Sequence, residues 1–131
     1  MDYRQEALST ETKDIVGQAA RLAGNELLLR LLHASMGLGS ESGEIESNVK
    51  AHIFYGRELD IANLIEEAGD CYWFLELLCD ALKITREEVM ARNVAKLRER
   101  FPDKFTEYDA NNRNLIAERK VLEMSNIELA G

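Results

Sequence analysis

Three observations on the sequence predict an all-α fold built as an antiparallel helical bundle. Proline occurs once in 131 residues, at Pro102. Apolar and charged residues alternate at helical spacing through nearly the whole chain. Residues suited to helix capping (Asn25, Asp60 and Thr85) stand just ahead of three of the periodic stretches.

Taken in order, residues 1–11 are expected to be loose. A short helix is predicted from Thr12 to Ala23, with Ile15, Ala19 and Leu22 on one face. Gly24-Asn25 breaks the chain. Asn25 then caps a long helix that runs to about Phe54, with Glu26 in the first turn, where the helix dipole favours negative charge. Leu28, Leu31, Leu32, Ser35, Leu38 and Ser42 trace its inner face, and four-residue steps extend that face to Glu46 and Lys50. Gly37, Gly39, Ser40, Ser42 and Gly43 cluster in the middle, where each glycine costs ~1 kcal/mol relative to alanine. Such a cluster implies close approach by a backbone, a metal or a ligand, or else a helix break near Gly37–Gly39.

Tyr55-Gly56-Arg57-Glu58 reads as a turn. Asp60 caps the next helix, which runs to about Leu82 with Asn63 at its third position. Between Cys71 and Cys79 it reads CYWFLELLC, apolar on almost every side. A helix hydrophobic all round must be buried all round. A chain this short offers little cover, so a second subunit is expected over it. Thr85-Arg86-Glu87-Glu88 is a capping-box pattern. It opens a helix through Val89, Asn93, Val94, Leu97 and Arg100, and Phe101-Pro102-Asp103-Lys104 stops it. A last, highly charged segment from about Tyr108 to Met124 carries Leu115, Ile116, Arg119, Val121 and Leu122, and reads as an arm rather than a core element. The expected organisation is an N-terminal segment over 1–24, a helical domain over 25–105 and an arm over 106–131.

Composition narrows the function. The net charge of −8 argues against unaided binding to nucleic acid or anionic lipid. It leaves room for a polyphosphate substrate, because bound metal reverses the local sign of the field. No apolar run approaches the ~20 residues of a transmembrane helix, and the N-terminus lacks the basic flank and apolar stretch of a signal peptide. Cys71 and Cys79 would stand ~12 Å apart along one helix, too far to pair. Two free thiols fit a reducing compartment, so a cytoplasmic location is expected.

The chemistry centres on Gly37 to Asp70. Two acidic pairs lie there at spacing i, i+3: Glu41 with Glu44, and Glu67 with Asp70. Residues three apart share a helix face. If the two helices run antiparallel, four carboxylates can converge between them. Converging carboxylates repel unless a cation sits among them, and an all-oxygen set suits Mg²⁺, or Mn²⁺. Glu67 and Asp70 abut the apolar run, where unneutralised charge is costly. Glu46 and Glu66 are acidic neighbours, with Glu66 the better supporting group because it directly precedes Glu67. His33 and His52 lack the Glu-x-x-His spacing of di-iron bundles, since Arg30 and Val49 stand three residues before them. No HExxH, CxxC, P-loop or GxSxG pattern occurs. Asn93, Lys96 and Arg100 form one helical stripe. Beside an acidic metal site such cations would suit phosphate oxygens, although a solvated stripe explains the trio as well.

GLGSESGEIES, then LIEEAGDCYWFL, then NVAKLRERFPDKF resemble, in that order, the three motifs of MazG-like enzymes, a branch of the all-α nucleoside triphosphate pyrophosphohydrolases. The resemblance spans about Leu31 to Phe105. The tail NRNLIAERKVLE is similar to tails of short, often phage-encoded members, which would place the chain in a host cytoplasm. The resemblance implies Mg²⁺-dependent cleavage of a nucleoside triphosphate between its α and β phosphates, in nucleotide-pool cleansing or regulation. It implies Glu41, Glu44, Glu67 and Asp70 as metal ligands. The proton of the attacking water would go to Glu66 or to one of those four. Asn93, Lys96 and Arg100 would contact phosphates or sugar, and the base would pack near the first half of the long helix. A homodimer or homotetramer is expected, with no nucleic-acid or membrane partner. Two readings stay open beside it. One is a non-catalytic helical oligomerisation or partner-binding module. The other is a same-fold enzyme acting on dUTP or dCTP, phosphoribosyl-ATP or an alarmone.

Overall fold

The computed structural model describes residues 2–124, and over them the chain is helical without a strand. The elements are α1 (Tyr3–Ser9), α2 (Ile15–Leu22), α3 (Glu26–Tyr55), α4 (Ile61–Leu82), α5 (Arg86–Arg100), α6 (Glu107–Asn111) and α7 (Leu115–Glu123). Residues 125–131 of the expected arm lie outside the described residues.

The first eleven residues are not loose throughout. Asp2 accepts hydrogen bonds from the backbone N–H groups of Arg4 and Gln5 and so caps α1. The second helix starts later than Thr12, because the Asp14 carboxylate caps the Gly17 N–H at 2.9 Å. Gly24 takes φ +68°, a left-handed turn that suits glycine. Asn25 then caps α3 through the Leu28 N–H at 3.0 Å.

α3 runs unbroken through its glycines, so the alternative of a break near Gly37–Gly39 is not what the chain does. Gly37 is small for a reason on the next helix. A Cβ there would overlap the Phe74 ring of α4. That ring is held edge-on by His33 and Trp73, with centroids 5.6 and 4.9 Å away. At Gly39 and Gly43 nothing among the described residues, beyond the helix's own neighbouring backbone, lies within 4 Å of an added Cβ.

Two polar links show that α3 and α4 are an antiparallel hairpin. Arg30, near the start of α3, pairs with Asp80, near the end of α4, at 2.5 Å. Asn48, late in α3, meets Asp60 at the cap of α4. Gly56, at φ +65°, ends α3, and Asp60 opens α4 by accepting from the Asn63 N–H at 3.0 Å. Thr85 caps α5 through the Glu88 N–H. The reciprocal half of the capping box is not made, because the Glu88 carboxylate pairs with Arg92 instead.

The expected single helix over 108–124 is two helices. The side chains of Asn111 and Asn112 bond back to the carbonyls of Glu107 and Tyr108 and end α6. Asn114 then caps α7. Nor is α7 a free arm. It packs along α5, whereas α5 only touches α4.

The buried apolar residues are small: Ala34, Cys79 and Ala81. No large side chain is fully buried among the described residues, and Trp73 remains 56% exposed. Tyr72, Ile65 and Leu82 of α4 are also exposed, as are Leu29, Leu32 and Met36 of α3. Apolar area left in water on this scale forgoes roughly 25 cal/mol per Å². The free Cys71 and Cys79 match the sequence expectation.

Candidate metal centre between α3 and α4

The i, i+3 pairs fall where the hairpin brings them face to face. Glu41 of α3 meets Glu67 and Asp70 of α4, and one carboxylate oxygen from each lies within 4.8 Å of the others. Glu67 is buried, at 5% exposure, Glu41 is half-buried and Asp70 is exposed. The Glu41 carboxyl titrates above its ordinary range. Burial is the largest cause, followed by its hydrogen bond with Glu67 and by repulsion from Glu67, Glu44 and Asp70. A site that raises a carboxyl in this way without a cation suits one with it. The donor set is oxygen only, as hard divalent ions prefer, so the residues present fit the metal that the motifs imply.

Glu44, the fourth carboxylate of the sequence argument, is not in the converging group. It is exposed one turn further along α3 and acts on Glu41 through its charge. It lines a neighbouring cleft of about 400 Å³ with Ser47, Asn48, Arg57, Asp60 and Asn63. Glu66 and Glu46 are exposed and do not join the cluster.

The α5 stripe is arranged differently from its sequence reading. Lys96 donates to the Asn93 side chain at 2.7 Å. Arg100 is engaged by Glu118 of α7, Nε to Oε1 at 3.0 Å and Nη2 to Oε2 at 2.6 Å. No hydrogen bond or ion pair joins the trio to the acidic cluster among the described residues. Neither histidine is near a metal role. His33 packs edge-on against Trp73 and Phe74, and His52 Nδ1 bonds the Arg57 carbonyl at 2.8 Å at the end of α3.

The sequence reading passed over two residues at the site. Asn63 donates to Glu67 Oε1 at 2.5 Å, and Asn48 holds Asn63 at 2.8 Å. Their one visible signal was the i, i+4 spacing of Asn63 and Glu67 on a helix already read as acidic.

An α-helical hairpin with a buried glutamate at the centre of a carboxylate cluster defines a class of protein: an all-α, carboxylate-centred domain. A sequence model of the MazG nucleotide pyrophosphohydrolase domain matches residues 31–105, more than half of the chain. The chain belongs to that family. The match ends at residue 105, before the tail, and gives no support to the phage-type resemblance expected there. Neither a curated protein nor a solved structure matches the chain significantly. No described helix is long and apolar enough to cross a membrane.

Proposed function

We propose that this chain is a divalent-metal-dependent nucleoside triphosphate pyrophosphohydrolase that releases a nucleoside monophosphate and pyrophosphate. The observation that carries the reading is the convergence of Glu41, Glu67 and Asp70 inside the segment matched to the MazG domain. Glu41, Glu67 and Asp70 hold Mg²⁺, or Mn²⁺, and Glu44 adds charge or a ligand from the next turn. A divalent ion held there would lower the pKa of a water and offset charge at the phosphates. A carboxylate of the cluster takes the proton of the attacking water. Water oxygen bonds to the α phosphorus, the bond from that phosphorus to the bridging oxygen breaks, and pyrophosphate departs with the bridging oxygen, leaving the nucleoside monophosphate.

The base is assigned to the apolar cleft of about 590 Å³ along the first half of α3, lined by Leu22, Leu28, Leu31, Leu32 and Leu78. Lys96, with Asn93, is the remaining cation of the α5 stripe available to phosphate, since Arg100 is paired. The exposed apolar faces of α3 and α4 support a homodimer or homotetramer as the working form.

The test is a screen of canonical, deoxy and modified nucleotides with Mg²⁺ or Mn²⁺ and with product identification. Nucleoside monophosphate and pyrophosphate in equal amounts support the proposal. Release of inorganic phosphate alone, or no turnover of any nucleotide by a folded and metal-loaded protein, would overturn it.

A further inference from the structure

We infer that Asn63, oriented by Asn48, is a positioning residue that fixes the buried Glu67 carboxylate for cation binding. The inference rests on the metal reading above, but its evidence is a separate hydrogen-bond chain. Asn48 projects from α3 into the cleft at the start of α4. Its Nδ2 donates twice, to the Asp60 carbonyl at 3.0 Å and to Asn63 Oδ1 at 2.8 Å. Its Oδ1 accepts from the Asp60 N–H at 3.4 Å. Two partners of fixed polarity, the Asp60 carbonyl and the Asp60 N–H, leave the Asn48 amide one orientation.

That orientation dictates the next one. Asn63 Oδ1 is taken as an acceptor, so the Asn63 NH₂ must face the other way. It faces Glu67, donating to Oε1 at 2.5 Å. One oxygen of Glu67 is thereby occupied by a neutral donor, while the carboxylate stays in the group with Glu41 and Asp70. Without a donor at that spot, a buried carboxylate beside two others would swing to lower its repulsion. Partners behind metal ligands commonly govern both the aim and the affinity of the site.

Asn48 gives the test its discrimination, because it bonds the hairpin and Asn63 rather than Glu67. Asn48→Asp keeps shape and can still accept from the Asp60 N–H, but it offers no donor to Asn63 or to the Asp60 carbonyl. The Asn63 amide then turns its NH₂ to the new carboxylate and its oxygen to Glu67, which reverses the chain. Asn48→Ala removes the brace but leaves Asn63 free to keep donating.

The experiment measures Mn²⁺ binding to the full chain without nucleotide, by loss of the free-ion EPR signal, beside CD melting curves. Expected affinities fall from wild type to Asn48→Ala to Asn48→Asp, with Asn63→Leu about 10- to 100-fold weaker than wild type. Added negative charge alone would strengthen cation binding in Asn48→Asp, and a merely structural role would make affinity follow Tm across the variants. Asn48→Asp binding as tightly as wild type, with Asn63→Leu folded and unaffected, would overturn the inference and leave the metal site standing. Should folding of Asn63→Leu fail, the order of the two Asn48 variants decides alone. Wild-type protein that binds no Mn²⁺, and is indistinguishable from Glu67→Gln, would instead remove the metal reading itself.

Discussion

Arg100 grips Glu118 through two hydrogen bonds, and Arg113 bonds the same two carboxylate oxygens, Nε to Oε1 at 3.2 Å and Nη2 to Oε2 at 2.7 Å. Glu118 is 2% exposed, so a fully enclosed carboxylate joins α5 to α7. The guanidinium that motif resemblance assigns to a phosphate is held here by Glu118, as a strut between α5 and α7. Bidentate guanidinium–carboxylate pairing is directional as well as strong, and lysine cannot reproduce it.

The strut should show in stability and not first in substrate affinity. Glu118→Gln and Arg100→Gln are each expected to lower Tm, and the double variant should fall by less than the sum of the two, because the residues share one interaction. Arg100→Lys should recover little of the loss. Thermal melts of the four proteins check this. Additive effects, or a loss of nucleotide affinity in Arg100→Gln at unchanged Tm, would return Arg100 to the substrate.

The same clasp predicts a pH signature. Hydrogen bonds from Arg100 and then Arg113 hold the Glu118 carboxyl well below its ordinary value of 4.5, against the opposing effect of burial. A carboxyl depressed in the folded state contributes stability above its unfolded value and loses it as pH falls toward the folded one. The Tm difference between wild type and Glu118→Gln should thus be full at neutral pH and shrink below about pH 4.5. A difference that stays constant from pH 7 to pH 3 would contradict the assignment.

Asp70→Asn should reduce pyrophosphate release by about 100-fold or more, the scale expected when a metal site loses an anchoring group. Glu41 is raised by burial and by its carboxylate neighbours, so removing one charge should not lower Tm in metal-free buffer. Mg²⁺ should raise the wild-type Tm more than the variant's, with about 2.7 kcal/mol of stabilisation at a hundredfold excess over Kd. Melts with and without Mg²⁺, run beside a pyrophosphate assay, test both halves. A fully active Asp70→Asn protein would exclude this site.

Gly37 and Gly39 should respond in opposite ways to alanine. At Gly37 the new methyl meets the Phe74 ring, which packs edge-on with His33 and Trp73. Overpacking of that kind costs about 1–3 kcal/mol and outweighs the helix-propensity gain. At Gly39 nothing among the described residues, beyond the helix's own neighbouring backbone, is near, so the variant should gain up to ~1 kcal/mol. Denaturant unfolding of the two variants checks the contrast. A destabilised Gly39→Ala protein would show that another molecule lies on that face.

Assembly is expected from the exposed faces of α3 and α4. Light scattering at micromolar concentration should report at least a dimer, and Tyr72→Glu should shift it to a smaller species. A monomeric mass for the wild type would refute the expectation.

Much of the helical frame was legible in local chemistry. Asn25, Asp60 and Thr85 cap as their side chains predict, since each reaches the backbone N–H three residues ahead without help from distant parts of the chain. The spacing of Glu41 with Glu44, and of Glu67 with Asp70, marked the two helices between which Glu41, Glu67 and Asp70 converge. At the ends of the chain local reading failed in both directions. Asp2 nucleates a turn that weak periodicity hid, and the Asn111 and Asn112 side chains divide a segment that charge patterning ran together.

The sequence by itself determined that the chain is helical, where its main caps fall and which turns carry acid, because these depend on residues within a few positions of one another. Only the tertiary structure decided that Glu41, Glu67 and Asp70 converge while Glu44 stands a turn away, that Gly37 makes room for Phe74, that Asn48 orients Asn63 across the hairpin, and that Arg100 is held by Glu118. Those facts rest on the register of α3 against α4 and of α5 against α7. Register comes from which side chains fit across two helices, and helical periodicity within one of them carries no information about that fit.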